Sequence, residues 1–224
     1  AVDSDAVLTG PSDLGWSIGS ADLDGDGVDE LIIGSSKDAQ GGSSAGAAFL
    51  VDAPSGTMAL STGVWGEAGD LAGKSVTGLT DFNGDGYGDV AIAAPGRQSV
   101  GLFLGPVSPG TFPGADARVD GVYSSSLGDA GDLDGDGRSD LLVGDPTYTV
   151  GGVGDNAGRT LLFLGSEPGV WEADDAHAVL VGTASYVELS LVEGSCGDVD
   201  GNGAPDVAVA SQMNQLFIWP TALE

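Results

Sequence analysis

Apolar residues in this chain come in short runs, each closed by Gly, Asp, Ser or Pro. Four runs rich in β-branched residues, ELIIG (30–34), DVAIAA (89–94), DLLVG (140–144) and DVAVA (206–210), predict strands. Each is followed by a second apolar run: AAFLV (47–51), VGLFLG (100–105), TLLFLG (160–165) and QLFIW (215–219). Each is preceded by a third kind of segment: GWSIGSA (15–21), GKSVTGL (73–79), SSSLGDA (124–130) and LSLVEGS (189–195). A fourth set ends in Gly: AVLTG (6–10), MALSTG (58–63), ARVDG (117–121) and AVLVG (178–182). No stretch has the 3.6-residue period of an amphipathic helix. The pattern predicts an all-β protein of four units with four strands each.

The polar breaks repeat too. DLDGDGVDE (22–30), DFNGDGYGD (81–89), DLDGDGRSD (132–140) and DVDGNGAPD (198–206) share one register. Positions one, three, five and nine are Asp, Asn or Glu, and positions four and six are Gly. Carboxylates this close repel one another unless a cation sits between them. A hard divalent ion such as Ca²⁺ takes six to eight oxygens and tolerates irregular geometry. Glycine lets the backbone turn tightly enough for alternate side chains to converge. One such stretch is no more than an acidic turn; four in register predict calcium loops. A helical EF-hand is excluded, because position twelve, where that loop needs a carboxylate, is Ile33, Ile92, Val143 and Val209.

The loops start at Asp22, Asp81, Asp132 and Asp198, a spacing that predicts a propeller or solenoid. With 224 residues the chain can form one well-packed domain, 1–224. The net charge of −28 comes from 34 acids against 6 bases, and the loops hold fewer than half of those acids. The remainder makes nucleic acid or a bare anionic membrane a poor partner. No apolar stretch approaches the ~20 residues of a membrane span. The single cysteine, Cys196, allows no intrachain disulfide and is expected to be a buried small residue.

The loops and the motifs around them resemble the FG-GAP repeat of the integrin α-subunit β-propeller and its bacterial secreted counterparts. LGWSI (14–18) and AGKSV (72–76) match the start of that repeat with its Phe replaced; AAP (93–95) and GDP (144–146) match its end. The resemblance implies a β-propeller of four-stranded antiparallel blades, with the calcium loop joining the first strand of each blade to the second. Carried over by position, the ligands would be Asp22, Asp24, Asp26 and Glu30; Asp81, Asn83, Asp85 and Asp89; Asp132, Asp134, Asp136 and Asp140; and Asp198, Asp200, Asn202 and Asp206. The carbonyls of Val28, Tyr87, Arg138 and Ala204 would complete each shell, about four Ca²⁺ in all, and Asn202 would weaken the fourth.

Propellers of the integrin type usually have seven blades, so four loops predict either part of a larger ring or a closed ring of four. The chain begins with a fourth-strand segment and ends with a third-strand one, which favours closure, the N-terminal strand completing the last blade. A closed ring predicts a monomer; an open arc exposes an apolar blade face and predicts an oligomer.

No nucleophile or phosphate-cradling motif accompanies the lone His177, so the expected function is non-enzymatic. The resemblance implies a secreted or cell-surface module for adhesion or recognition of a protein or a carbohydrate. The alternatives are a structural or assembly fragment, or an accessory domain of a larger secreted or surface protein. In the family, ligands engage the face opposite the calcium loops. There Trp65, Tyr123, Tyr148 and Tyr186 are the candidate binding residues, and Trp16 is a candidate for packing between blades.

Overall fold

The computed structural model describes residues 6–11, 13–52 and 56–219. It is all-β apart from two single turns of 3-10 helix, with an architecture consistent with a β-propeller. The strands in chain order are β1 (Ala6–Thr9), β2 (Ser17–Ala21), β3 (Glu30–Ser35), β4 (Ala47–Val51), β5 (Gly56–Ala59), β6 (Gly63–Trp65), β7 (Val76–Leu79), β8 (Asp89–Ala94), β9 (Ser99–Phe103) and β10 (Gly110–Thr111). They continue with β11 (Ala117–Asp120), β12 (Ser126–Gly131), β13 (Asp140–Asp145), β14 (Arg159–Phe163), β15 (Val170–Glu172), β16 (Ala178–Val181), β17 (Leu189–Gly197), β18 (Asp206–Ser211) and β19 (Leu216–Trp219).

Four antiparallel sheets follow one another: β2-β3-β4-β6, β7-β8-β9-β11, β12-β13-β14-β16 and β17-β18-β19. Each packs on the next. Ile32, Ala48 and Val64 of the first sheet meet Val76, Val90 and Ile92 of the second. Leu79, Ala91 and Leu102 of the second meet Leu127, Leu141 and Leu161 of the third. Leu142 and Leu162 of the third meet Leu189, Val207 and Val209 of the fourth. Alternate side chains of one strand therefore point to opposite junctions, as a pleated strand buried on both faces requires. Each fully buried Leu, Ile or Phe contributes about 1.5–3 kcal/mol.

The first strands of successive sheets approach backbone to backbone. A Cβ on Gly78 would fall 2.0 Å from the carbonyl oxygen of Ser20, so only Gly fits there. Ser20, Gly78 and Asp129, each on the first strand of its sheet, line one small cavity of about 130 Å³.

The N-terminal strand does not complete the fourth sheet, as the strand order had predicted. β1 runs parallel to β5, with Ala6 opposite Gly56 and Thr9 opposite Ala59. The reason is a device the chain uses three times. Each connection from a third to a fourth strand lends a short strand that runs parallel to the fourth strand of the preceding sheet. β10 pairs with β6 in this way, and β15 with β11. β5 does the same for β1, which thus stands where the fourth strand of a sheet before the first would stand. Because β1 takes Gly56–Ala59, the fourth strand of the first sheet is Gly63–Trp65 rather than the expected 58–63. Among the described residues the fourth sheet has three strands, and no closure onto the first sheet is seen.

Candidate metal centre

Each acidic repeat forms the turn from the first strand of a sheet to the second, and all four turns close by the same hydrogen bonds. The carboxylate at position one accepts from the backbone N–H of both glycines. Asp22 does so at 2.8 and 2.9 Å, Asp81 at 2.6 and 2.8 Å, Asp132 at 2.7 and 2.9 Å, and Asp198 at 2.6 and 2.9 Å. Position three accepts from the N–H of position five, and position five from that of position seven, as in Asp134 to Asp136 (3.1 Å) and Asp136 to Arg138 (2.9 Å). The glycines at positions four and six all have positive φ, from 78° to 95°. A side chain there would be strained.

Position nine anchors the turn. Glu30, Asp89, Asp140 and Asp206 begin the second strands and are buried. Each accepts from the N–H of position two: Leu23 at 2.8 Å, Phe82 at 2.6 Å, Leu133 at 2.8 Å and Val199 at 2.8 Å. Asp89 and Asp140 also accept from Gly105 and Gly165, just after the third strands. Burial pushes the Asp140 carboxyl up to about 6, against these two N–H donors and with Asp134 and Asp132 adding to the rise. Burial raises Asp89 and Glu30 in the same sense. A cation would reverse this, because it favours the ionised form.

The carboxylates converge. One oxygen from each of Asp22, Asp24 and Glu30 lies within 4.8 Å of the others; the same holds for Asp132, Asp134 and Asp136, and for Asp198, Asp200 and Asp206. In the second loop Asn83 replaces an acid, and its amide nitrogen donates to Asp85 at 2.9 Å. Clusters made only of hard oxygens, with carbonyls close by, fit Ca²⁺. They do not fit a metal that prefers nitrogen or sulfur.

Successive loops also interlock, which the sequence reading missed. Position eight of one loop donates its N–H to the carbonyl at position one of the loop before: Gly88 to Asp22 and Ser139 to Asp81, both at 2.7 Å. The side chain at position seven then lies over the preceding loop's first glycine, Tyr87 over Gly25 and Arg138 over Gly84. In the fourth loop position eight is Pro205, which has no N–H to donate. The signal was present in the sequence, but it means something only once the loops are known to touch.

The candidate binding aromatics fall at the other ends of the strands and are not brought together into one site. Trp65 ends β6 and packs edge-on against Phe49 at 6.2 Å, so it serves the outer face of the first sheet. Tyr123 and Tyr186 are exposed. Tyr148 is half-buried, with the Arg159 guanidinium 3.8 Å from its ring centre. Arg159 also pairs with Asp145 at 3.3 Å, both side chains buried, a cluster with no sequence signal beyond a lone base before an apolar run. Trp16 does not pack between sheets: it is exposed, with Lys74 4.0 Å over its ring. Cys196 is exposed too, because it lies at the solvent end of β17 beside the fourth loop.

Family comparisons agree with this repeat architecture. An FG-GAP repeat model matches residues 14–51, and an FG-GAP-like repeat model matches residues 81–143. The chain is 29% identical to integrin alpha pat-2 of Caenorhabditis briggsae over 228 residues, covering 88% of this chain and 18% of that protein. It is 33% identical to mouse integrin alpha-IIb over 151 residues, covering 58% of this chain and 14% of that protein. Human integrin alpha-IIb matches at 32% over 170 residues, 66% of this chain and 15% of that protein. The chain thus spans less than a fifth of the length of these relatives. The chain carries FG-GAP and FG-GAP-like repeats and is similar, over most of its length, to part of integrin α subunits.

Proposed function

We propose that this chain is a non-enzymatic, calcium-binding module for adhesion or recognition, secreted or displayed at a cell surface. The calcium is structural. It neutralises the carboxylates of each loop and holds the first and second strands of each sheet at a fixed angle. The observation that carries this reading is the fourfold recurrence of one acidic turn, with its glycines and its buried ninth residue in the same register, and the convergence of three carboxylates in three of the four loops. Extracellular modules bind calcium at about 10⁻⁴–10⁻³ M, which suits a compartment with millimolar calcium.

Recognition belongs to the end of the sheets away from these loops. There the connections between second and third strands, the longest of them at 146–158, carry Tyr148 on its buried Arg159–Asp145 support. A rigid aromatic on a fixed base suits a protein or sugar ligand. The similarity to integrin α subunits supports a protein ligand first.

Isothermal titration of the metal-stripped chain with CaCl₂ tests the metal reading. The expected result is about four ions per chain, with a fall in stoichiometry of about one for Asp136→Ala. No heat of binding at millimolar calcium, with the chain still folded, would contradict it.

A further inference from the structure

The flank of the second sheet holds a cavity of about 440 Å³, the size of a small-molecule site. It lies inside the row of sheets, between the turn from β8 to β9, the end of β11 and the single 3-10 turn at Phe112–Gly114.

Its chemistry departs from that of the rest of the chain. Against 34 acids the chain has six bases, and two of them, Arg97 and Arg118, line this one cavity. Arg97 is tied from the side of the first sheet, its Nε donating to Asp70 at 3.1 Å and one Nη to Glu67. Its guanidinium carbon lies 5.8 Å from the ring centre of Phe112. Arg118 donates through Nε to Asp120 at 2.8 Å, and neither of its Nη groups has a partner among the described residues. Ser99 donates to the other oxygen of Asp120 at 2.7 Å. Three charged groups are thus held around the cavity, with donors left over on both arginines and lone pairs left over on Asp120. Exposed ion pairs contribute little to a fold, so stability alone does not account for Arg118 at this place.

The backbone supplies a second, independent sign. The residue just before the third strand has a positive φ in each of the first three sheets: 75° at Gly46, 61° at Gln98 and 79° at Gly158. Glycine adopts this conformation freely and glutamine does not. The second sheet nevertheless keeps Gln98, an exposed residue that lines the cavity beside the two arginines. Strain of this kind collects where a side chain is used.

We propose that this cavity binds a carboxylated sugar of the hexuronate type. Arg118, with the free Nη of Arg97, takes the carboxylate, for which a guanidinium fork is the matched partner. Gln98 and Asp120 take ring hydroxyls, since the amide can donate or accept and the carboxylate accepts. Phe112 and Pro113 supply an apolar wall for the C–H face of the ring. Asp120 disfavours a bare inorganic anion, which it repels at short range. A ligand that joins hydroxyls to a single carboxylate satisfies both signs of charge. The cavity includes neither a loop carboxylate nor Tyr148, so it stands or falls apart from the calcium and recognition readings above.

The test is two-dimensional amide NMR of the isotope-labelled chain in calcium, titrated separately with sodium D-glucuronate, D-glucose and sodium acetate. Glucuronate should shift the amides of Gln98, Ser99, Arg118 and Asp120 with a Kd of about 1 mM, while the loop amides of Gly25 and Gly135 stay in place. Glucose and acetate should bind at least about tenfold more weakly, and Arg118→Gln should weaken glucuronate by about as much. Gln98→Gly should raise the melting temperature yet weaken glucuronate about threefold, a pairing that a merely structural Gln98 would not show. No shift at these amides with glucuronate would overturn the proposal. Equal binding of glucose would overturn it by leaving the arginines without a role. Equal binding of acetate would overturn it in favour of a plain carboxylate site, such as one for an acidic side chain of a partner protein. Unchanged glucuronate binding in Arg118→Gln or Gln98→Gly would overturn it as well.

Discussion

The second and fourth sheets begin with nearly the same loop and end up in different surroundings. DFNGDGYGD and DVDGNGAPD form the same turn with the same hydrogen bonds. The second loop is locked to the first through Gly88 and Tyr87, and the third is locked to it through Ser139 and Arg138. Phe82 beneath it is buried, in edge contact with Trp171 at 6.0 Å. The fourth loop has Pro205 at the locking position and an exposed Val199 beneath. A motif thus fixes a turn, while its neighbours decide how much stability the turn passes on to the fold.

Phe82→Ala should cost about 3–5 kcal/mol by leaving a cavity at the second junction, while Val199→Ala should cost less than about 0.5 kcal/mol. Urea melts of the two variants check this, and equal losses would mean the fourth junction is covered in solution. Ser139→Pro should cost about 1–3 kcal/mol, because it leaves the Asp81 carbonyl without its donor and the Thr80 N–H without the Ser139 hydroxyl that accepts it. Thermal melts read this against the unmodified chain.

A pH-dependent difference follows from Glu193. It is buried between the third and fourth sheets, where it accepts from Ser190 at 3.0 Å. Burial pushes its carboxyl up to about 8 from 4.5, outweighing the hydrogen bonds from Ser190 and Thr160. Between these values the folded chain holds a proton that the unfolded chain has lost. The group's favourable contribution is therefore full below about 4.5 and is lost as pH rises through about 8. Glu193→Gln should raise the melting temperature at pH 8.5 and change it little at pH 4.5. The smallest effect is expected for Pro205→Ser. It offers a donor to the third loop but frees the unfolded chain, so the net change should stay under about 1 kcal/mol.

Much of this could be read from the residues. The loops and the strands on either side of them follow from a spacing of acids and glycines that only a tight turn into a strand explains, whereas the burial of position nine shows only in the fold. What could not be read lies between distant segments. Gly110–Thr111 and Val170–Glu172 are too short to show a period. The pairing of Ala6–Thr9 with Gly56–Ala59 rests on a device visible only when three sheets are set side by side. Trp16 and Cys196 were misplaced for one reason: an apolar neighbourhood in sequence does not say which end of a strand meets solvent.

If calcium fills the acidic loops as proposed, it holds the contacts by which those loops tie the first three sheets to one another. Amide hydrogen exchange at Gly88 and Ser139, with calcium and after chelation, tests it most directly. Both amides should exchange slowly with calcium and at least about tenfold faster without it, while core amides such as that of Leu142 change less. Exchange at Gly88 and Ser139 that ignores calcium would contradict the account.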